Sequence, residues 1–591
     1  MTLVSAAEAA TAGGALLVLA IIVPVVGALT AFICGGRWTE RIALASMPIG
    51  LAIVIAILVA LQRGGAPLVY LLGAWSPPLG IALRADGLSA VMMTVTAAVV
   101  CAVGIFARAD FRTPEGSSEA RAPFAFWILL LAVWGALNTV FLGGDLFTLY
   151  VALELLTFAA VPLVSLDGRA ETLQAALRYL LFALLGSLLY LVGTALIYGA
   201  YGTLDIVLLS RLVYMQPATV VAAALMTVGL LAKTALFPLH LWLPPAHAGA
   251  PAAASAVLSA LVVKGSFFIV VRLWFDVMPG LPGPAAAHLI AALGAGAILF
   301  GSVVALTQRR LKLLIAYSTL AQIGYLFLMF PLAFDPATTK LQSSSALAGG
   351  MVQAMSHATA KAAMFMAAGL IYAELGHDRI AGLAGIGRAL PMSVLAFALG
   401  GIALIGVPPS GAYLAKTVLL QAASDTEQWW WGGVIQAGGV FTSSYVVLVL
   451  AHAFVPADKP VTLRVLMPRF GTAVALSLAV CSLLLGLVPW QKYLPVSAEN
   501  ESNLLTLPAL LSSLWPIAAG AVLAILVGRG RLQRSGVPSV VAAIIDPARR
   551  AVLAPARGLV RIDGTLRQWP AAGLALLGAA IMFGVAMIAG R

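Results

Sequence analysis

Residues 221–274 read VAAALMTVGLLAKTALFPLHLWLPPAHAGAPAAASAVLSALVVKGSFFIVVRLW, and they place Lys233 and Lys264 in segments otherwise apolar enough to span a membrane. An ammonium at the bilayer centre costs roughly 2.5 to 3.5 kcal/mol, so such charges usually face the bundle interior or a water-filled cavity. Prolines break the helix pattern between the lysines, at 237–238 and at 244–245. Because broken backbone at membrane depth needs protein or water to satisfy it, the stretch predicts a broken helix that lines a hydrated path.

The composition extends this membrane assignment to the whole chain. Of 591 residues, 62% are hydrophobic and only 9% are charged, which is typical of membrane proteins. About sixteen apolar segments have spanning length, and the seventh, near 217–236, and the twelfth, near 389–407, look broken. The first run, near 13–34, lacks a basic leader and is expected to be a span rather than a cleavable signal peptide. We therefore predict an all-α polytopic membrane protein with 14–16 transmembrane helices.

The net charge of +12 follows membrane orientation rather than a nucleic-acid surface. With the N-terminus outside, the connections that fall inside carry 22 Lys and Arg residues, and those outside carry about five. This asymmetry agrees with the positive-inside rule and predicts that both termini lie outside. No nucleic-acid partner is expected.

The three cysteines give no sign of a metal site. Each lies in or at an apolar span, and the sequence has no CxxC pair and no His-rich metal spacing. We expect Cys34, Cys101 and Cys481 to be small buried hydrophobic residues.

The first charged block, residues 123–275, contains a glutamate within a predicted span. Glu154 lies about mid-helix, where a carboxylate is costly unless it has a function. Arg178 begins the next span, so it either pairs with Glu154 or extends to the membrane interface. Two other acids, Asp86 and Asp145, sit near helix starts and are expected to be caps.

Two histidines follow Lys233 at intervals of seven residues. On an unbroken helix, His240 and His247 would share a face with that lysine. The prolines disturb this register, so the histidines either line a common path or steady the break. Arg272, at a helix end, is expected to be an anchor.

The second charged block, residues 286–454, repeats this layout. His357 and Lys361 are four residues apart and share a helical face, which favours a relay. A second break follows, and Lys416 lies within about two turns of it. The residues of this break are Gly406, Pro408, Pro409 and Gly411. The charges Arg309, Arg310 and Lys312 are explained by inside-facing topology.

The two breaks lie about 170 residues apart, at Pro238 and at Pro408. Paired discontinuous helices in two halves of a chain are typical of transporters built from repeats, whose site lies at mid-membrane. We therefore divide the chain at residue 122 and near 275 and 454. The divisions are N-terminal helices 1–122, a first five-helix repeat 123–275 broken near 237–245, a second repeat 286–454 broken near 406–411, and C-terminal helices 455–591.

The segment 529–569 has a different composition from the rest. It holds eight arginines with Val and Ile residues between them, as expected for an inside-facing amphipathic surface segment. The sequence does not distinguish docking of this segment onto a neighbouring subunit from contact with lipid.

Several long motifs, over roughly residues 80–430, occur in an order that is specific to one superfamily. They are GGDLFTLYVALELL, LAKTALFPLHLWLPPAHAGAP, LKLLIAYSTLAQIGYLFL, SHATAKAAMFMAAGLI and VPPSGAYLAKTVLL. With them the chain resembles the antiporter-like membrane subunits shared by Mrp-type Na⁺/H⁺ antiporters, respiratory complex I and membrane-bound hydrogenases. The runs WSPPLGIALRADGLSAVM and GGDLF look closest to the D subunit of Mrp antiporters.

This resemblance implies two inverted five-helix units, each holding half of an ion path, joined by a polar axis at mid-membrane. The positions that match the family's pathway are Glu154, Lys233, Lys264, His357, Lys361 and Lys416. The resemblance also implies other membrane subunits as partners and H⁺, with or without Na⁺, as the cargo. Two departures are Pro245, where members often have an acid, and a longer tail.

The resulting hypothesis is a proton-translocating subunit in a bacterial inner membrane, with Glu154 controlling the proton of Lys233. A complex I-like or hydrogenase-type pump is the related alternative. A haem or quinone subunit is disfavoured because the histidines are scattered and no CxxCH occurs. A stand-alone secondary transporter is disfavoured because few side chains suit the binding of an organic solute. We expect no cofactor, no metal and no redox chemistry in this chain, although its complex could be a cation-translocating oxidoreductase.

Overall fold

A computed structural model describes residues 10–114, 119–335, 340–342, 344–457, 460–464, 468–496, 504–532 and 539–589. In the first half the helices are α1 (Ala15–Cys34), α2 (Gly36–Gly64), α3 (Gly87–Ala107), α4 (Arg121–Leu142), α5 (Leu146–Val164), α6 (Ala170–Tyr201), α7 (Ile206–Leu212), α8 (Pro217–Thr234), α9 (Leu243–Gly249), α10 (Ala252–Val257) and α11 (Val263–Val271). Wide π-helical turns, Leu258–Val262 and Arg272–Val277, extend the last two into one helix that runs to Val277.

In the second half the helices are α12 (Pro284–Thr307), α13 (Leu311–Leu326), α14 (Met329–Leu332), α15 (Ser345–Leu375), α16 (Ile386–Ala389), α17 (Pro391–Ile405), α18 (Gly411–Asp425), α19 (Trp429–Phe454), α20 (Arg469–Leu484), α21 (Leu507–Leu532), α22 (Ser539–Leu566) and α23 (Trp569–Ala589). Single turns of 3₁₀-helix lie at Leu72–Ala74, Ile380–Gly382, Leu485–Leu487 and Trp490–Lys492. Two short antiparallel strands, β1 (Leu68–Leu71) and β2 (Ala82–Ala85), pair before α3.

The all-α membrane architecture predicted from the sequence is confirmed. Fourteen helices of the described chain are long and apolar enough to cross a membrane. Two predicted spans are not among them. The segment near 345–373 belongs to α15, which has the length but is less apolar, and the segment near 389–407 is the short helix α17.

Both helix interruptions lie at the predicted prolines. Helix α8 ends at Thr234, and Ala235 then adopts a left-handed conformation with φ 60°. Helix α17 ends at Ile405, and Gly406 follows with φ 87°. In each case a new helix starts a few residues later, so the chain turns inside the bundle instead of continuing straight across.

Carbonyl groups near both interruptions accept hydrogen bonds from side chains. The indole Nε1 of Trp242 donates to the carbonyl of Ala232 at 3.0 Å, near the end of α8. The ammonium of Lys416 donates to the carbonyl of Ile405 at 2.7 Å, at the end of α17. These hydrogen bonds help to satisfy the backbone carbonyl groups where the helices are interrupted at membrane depth.

Facing glycines allow two helix pairs to approach closely. A Cβ atom on Gly186 of α6 would lie 2.7 Å from the carbonyl oxygen of Gly229 in α8, and the reverse approach is tighter still. The pair Gly294 and Gly324 brings α12 and α13 together in the same way. Small residues are the usual means by which transmembrane helices pack backbone to backbone.

The last three helices pack against earlier helices of the bundle. Helix α21 packs on α19, α22 lies against α12, and α23 packs on α8 and α12. The ring of Phe583 in α23 meets that of Trp274 edge-on at 6.3 Å. The C-terminal segment therefore connects the second charged block to the first.

The structure tests two expectations from the sequence and corrects one of them. Cys34 and Cys481 are exposed and Cys101 is only partly buried, so the prediction of buried cysteines was wrong. An apolar neighbourhood in a membrane span does not imply burial, because outward-facing positions are apolar too. The expected caps are present: Asp86 accepts from the Ser89 amide, and Asp145 accepts from the amides of Phe147 and Thr148.

The close contact of α6 and α8 predicts that Gly229→Ala destabilises the protein by about 1–3 kcal/mol, because the added methyl group has no room. The measurement is the thermal unfolding midpoint in detergent. Gly578→Ala is the matched control, since nothing lies within 4 Å of that position. An equal midpoint for the two variants would contradict the packing described.

Candidate functional site

The structure joins Glu154 and Lys233 directly. Lys233 Nζ lies 3.3 Å from Glu154 Oε1 and also donates to the carbonyl of Leu153 at 3.3 Å and to the hydroxyl of Ser187. The side chains of Lys233 and Glu154 are 6% and 15% exposed respectively. This is a buried ion pair between α5 and α8, close to the point where α8 breaks.

Arg178 does not take part in this pair. It is half-buried near the start of α6, and among the described residues Glu154 forms its ion pair with Lys233. Of the two roles considered for Arg178, pairing with Glu154 is therefore not seen.

Lys264 lies in the middle of the long helix that follows. It is 1% exposed, and its ammonium donates to the carbonyl of Ser259 at 2.5 Å. Ser259 belongs to the π-helical turn Leu258–Val262. Such a wide turn alters the backbone bonding of the helix, and π-bulges are frequent at functional sites.

Lys361 is held like Lys233, by a serine and a backbone carbonyl of a neighbouring helix. Its ammonium donates to the hydroxyl of Ser318 and, at 3.3 Å, to the carbonyl of Ile315, both in α13. The side chain is completely buried. No carboxylate is among these partners, so Lys361 rests on neutral groups alone.

The carbonyls that receive Lys233 and Lys361 are each shared with a threonine four residues later. Thr157 donates to the carbonyl of Leu153 at 2.8 Å, and Thr319 donates to that of Ile315 at 2.9 Å. Each of these carbonyls therefore accepts from a lysine and a threonine in addition to its place in the helix. The two lysines thus meet the same local arrangement on two different helices.

Two buried histidines lie near this central group. Neither ring nitrogen of His247 or of His357 has a hydrogen-bond partner within the part of the chain that the structure describes. The charges of Lys264 and Lys361 act on both rings. Buried polar atoms are normally satisfied, so these four nitrogens indicate sites for water or for a transferred proton.

Lys416 lies apart from that group, beside the second interruption. Its side chain is 9% exposed, and the ammonium stands 5.1 Å from the centre of the Tyr325 ring. It faces a cavity of about 360 Å³ that Ser512 and Ser513 of α21 help to line. The lysine therefore has access to a polar space at the edge of the bundle.

A larger cavity of about 690 Å³ reaches the short helix α9, which carries His247. Its charged lining residues are Asp110, Asp167, Arg169, Glu171, Arg310 and Lys312. Burial raises the pKa of the Asp110 carboxyl above its usual 3.8, although the Lys312 ammonium opposes this shift. The cavity is a charged approach to the centre of the protein.

Membrane topology alone explained Lys312 in the sequence, but in the structure this lysine also makes specific contacts. Its side chain is 7% exposed, donates to the carbonyl of Ala250 at 3.1 Å and lies over the Tyr372 ring. Arg272 also does more than anchor a helix end, because its guanidinium forms ion pairs with Asp86 at 2.6 Å and with Asp276 at 2.7 Å.

His240 has a partner that sequence reasoning missed. Its Nε2 lies 3.1 Å from Oδ1 of Asp563, which belongs to helix α22. The only signal was that Asp546 and Asp563 are the two acids in the arginine-rich segment 529–569. Across the described residues, no group of three or more His, Cys, Asp and Glu side chains could hold a metal ion.

Comparison with protein families and with curated proteins gives a consistent result. The family model described as "NADH:quinone oxidoreductase/Mrp antiporter, TM" matches residues 143–442. The N subunit of the NADH-quinone oxidoreductase of Desulforudis audaxviator is 29% identical over 66% of this chain and 76% of its own. The D subunit of the Na⁺/H⁺ antiporter of Alkalihalophilus pseudofirmus is 29% identical over 74% of this chain and 87% of its own.

Two solved structures share the fold. A chain of the Mrp complex from Dietzia sp. DQ12-45-1b has a TM-score of 0.72 at 24% identity, covering 86% of this chain and 99% of that one. A chain of the membrane-bound sulfane sulfur reductase, an archaeal respiratory membrane complex, has a TM-score of 0.72 at 25% identity, covering 84% and 99%.

The large charged cavity predicts a difference in cysteine labelling. In a variant without the three native cysteines, Ala373→Cys should react with a water-soluble maleimide, because Ala373 lines the cavity and thiolates form in water. Ala256→Cys should stay unlabelled, because Ala256 is fully buried. Labelling is read by mass shift, and equal reaction at both positions would contradict an open cavity.

Proposed function

Because the chain belongs to the NADH:quinone oxidoreductase/Mrp antiporter transmembrane family, we propose that it is the proton-translocating subunit of a multi-subunit cation antiporter or pump. The observation that carries this proposal is the buried pair of Lys233 and Glu154, 3.3 Å apart at a broken helix. The family match covers half of the chain and includes both interruptions.

The pair supplies a physical means of controlling one proton. A neighbouring carboxylate stabilises the ammonium form of a lysine, whereas burial destabilises it. With Glu154 close, Lys233 holds its proton. Moving the carboxylate away leaves a buried ammonium with only Ser187 and the Leu153 carbonyl, and the proton is then released.

Release proceeds along the other buried groups singled out by the sequence. Lys264 and His357 follow Lys233 in the proposed order, and Lys361 or Lys416 receives the proton last. Each of these three lysines is held by backbone carbonyls or a hydroxyl and by no carboxylate among the described residues. Lysine suits such a relay because burial shifts its proton affinity readily, which is not true of arginine.

Proton entry through the large charged cavity is consistent with this order. The cavity reaches α9 and therefore His247, whose ring nitrogens lack partners among the described residues. We include His247 and His240 as secondary candidates for the path. Pro245 lines the same cavity and cannot donate or accept a proton through its side chain, so nearby acids such as Asp110 take that part.

An antiporter subunit and a pump of the complex I type are the two forms that this proposal takes. Relatives of both kinds match at 29% identity, which supports either form. In the proposal the two forms share the proton axis and differ in the driving partner. The relatives are subunits of larger assemblies, which argues against a stand-alone transporter. Identification of the subunits that co-purify with the chain separates the two forms.

We place the protein in a bacterial inner membrane with both termini outside. The excess of Lys and Arg in the predicted inside connections supports this orientation. Fourteen apolar spans, together with α15 and the interrupted α17–α18 pair, make an even number of crossings. Epitope tags at either end should therefore bind antibody in intact spheroplasts, and a tag in the 113–120 connection should not.

Lys233→Ala is expected to abolish proton translocation while the complex stays assembled, because the controlled proton is lost. Lys233→Arg should also be inactive, since arginine keeps the charge but does not release a proton. Translocation is measured by a pH-sensitive dye in vesicles containing the purified complex.

Lys492→Ala is the control for these variants, because Lys492 is exposed and lies outside the buried groups of the path. Glu154→Gln should lower the rate without affecting assembly. Wild-type translocation by assembled Lys233→Ala vesicles would falsify the proposed function.

A further inference from the structure

The helix α22 inserts a carboxylate into the interior of the bundle. Asp563 is 3% exposed and lies near the end of this helix. Its Oδ1 is 3.1 Å from His240 Nε2, and its Oδ2 accepts a hydrogen bond from the hydroxyl of Tyr317 at 2.6 Å. Arg567 adds an ion pair at 3.1 Å. Asp563 therefore connects the C-terminal helices to both charged blocks.

The packing of α22 explains how the carboxylate is placed. Ala556 and Asp563 are buried, and Leu559 and Leu566 are partly buried, so the inward residues recur every three or four positions. This spacing is one face of a helix. The carboxylate thus occupies a position on the apolar face, where the pattern alone predicts another leucine or alanine.

The neighbours of Asp563 favour its ionised form. Burial raises the pKa of its carboxyl, but the bond with His240, the charge of Arg567 and the bond from Tyr317 together hold it below the usual 3.8. Two titratable or charged groups besides the imidazole face the carboxylate: Tyr317 from α13 and Arg567 from the α22–α23 connection. Both approach Oδ2, which leaves Oδ1 for the imidazole.

A carboxylate on one imidazole nitrogen decides the role of the other. With Oδ1 accepting from Nε2–H, the neutral ring carries its lone pair on Nδ1. In the described part of the chain, His240 Nδ1 is buried and has no hydrogen-bond partner. The same logic operates where an aspartate orients a histidine that accepts a proton during catalysis.

We propose that Asp563 is a positioning residue for proton translocation, which fixes the His240 ring so that Nδ1 is the proton-accepting atom at the first helix break. This inference rests on the proposed function, because it makes His240 a relay member beside Lys233. It also gives the C-terminal helix a task in this chain's own path, in addition to any contact with lipid or a neighbouring subunit.

Stability alone does not account for this carboxylate. Replacing a buried ionic group by well-packed apolar residues is often neutral or stabilising. The inward face of α22 is otherwise apolar, so apolar residues at position 563 and at its partner positions would join this helix to the bundle without the cost of burying a charge. The carboxylate lies beside His240, which is the histidine of the interrupted segment 235–242. This location suits a role in the proton path.

The test compares proton translocation by the assembled complex over a range of pH. Asp563→Asn and Asp563→Leu should each lower the rate roughly tenfold at neutral pH and move the rate–pH profile to lower pH. Without the negative charge, the protonated ring is less favoured. Asp563→Glu, which keeps the carboxylate, should restore the position of the profile.

The control is Arg561→Gln, because Arg561 is an exposed residue of the same helix. The glutamate variant guards against a purely structural explanation, since it keeps a carboxylate for Tyr317 and Arg567. Wild-type rate and profile in an assembled neutral variant would overturn the inference.

A double-mutant cycle shows whether Asp563 acts through His240. His240→Gln should itself lower the rate, and adding Asp563→Asn should lower it no further, because residues that act as a unit are not additive. An equal additional loss in the double variant would mean that Asp563 acts elsewhere and would overturn the inference.

Lys233→Ala, measured in the same vesicles, separates the two proposals. If it abolishes translocation while the neutral Asp563 variants resemble wild type, only the role of Asp563 fails. If it leaves translocation intact, the proposed function fails, and the role of Asp563 fails with it.

Discussion

The burial of the ammonium groups of the four lysines proposed for the proton path is the constraint on which the rest of the structure depends. Each of these lysines donates to a backbone carbonyl: Lys233 to Leu153, Lys264 to Ser259, Lys361 to Ile315 and Lys416 to Ile405. In an unbroken helix every carbonyl already has a backbone partner. A helix end at Ile405 and a π-helical turn at Ser259 supply two of these acceptors, whereas Lys233 and Lys361 bind carbonyls of regular helices that also accept from threonines.

Among the described residues, only one of the four lysines has a carboxylate partner, and this asymmetry gives the path a direction. Glu154 stabilises the proton on Lys233, whereas the other three lysines are held by neutral groups. The energy of an interaction with a neutral acceptor changes little when the lysine loses its proton, so these lysines suit transient protonation. A carboxylate that moves changes the energy of its partner far more. In the proposed mechanism, the controllable step therefore lies at the Glu154 end of the axis.

The sequence singled out the charged members of this proposed site because a single lysine or glutamate stands out in an apolar span. It could not predict Ser187 or Ser318, which hold two of the lysines, since small hydroxyl residues are common in membrane helices. It missed the contact between His240 and Asp563, which are 323 positions apart. It also misjudged the cysteines, because inward and outward faces of a membrane helix are both apolar. The inverted relation of the two repeats stays a prediction.

The C-terminal helices are the part of the fold that the matched family region, residues 143–442, does not include. They nevertheless reach the interior through Asp563, between a residue of the first interruption and Tyr317 of α13. A helix that only covered the bundle would contact apolar surface. This one contacts an imidazole in the segment that follows Lys233. In the proposed mechanism, the tail is thereby connected to the break at which Glu154 controls the proton of Lys233.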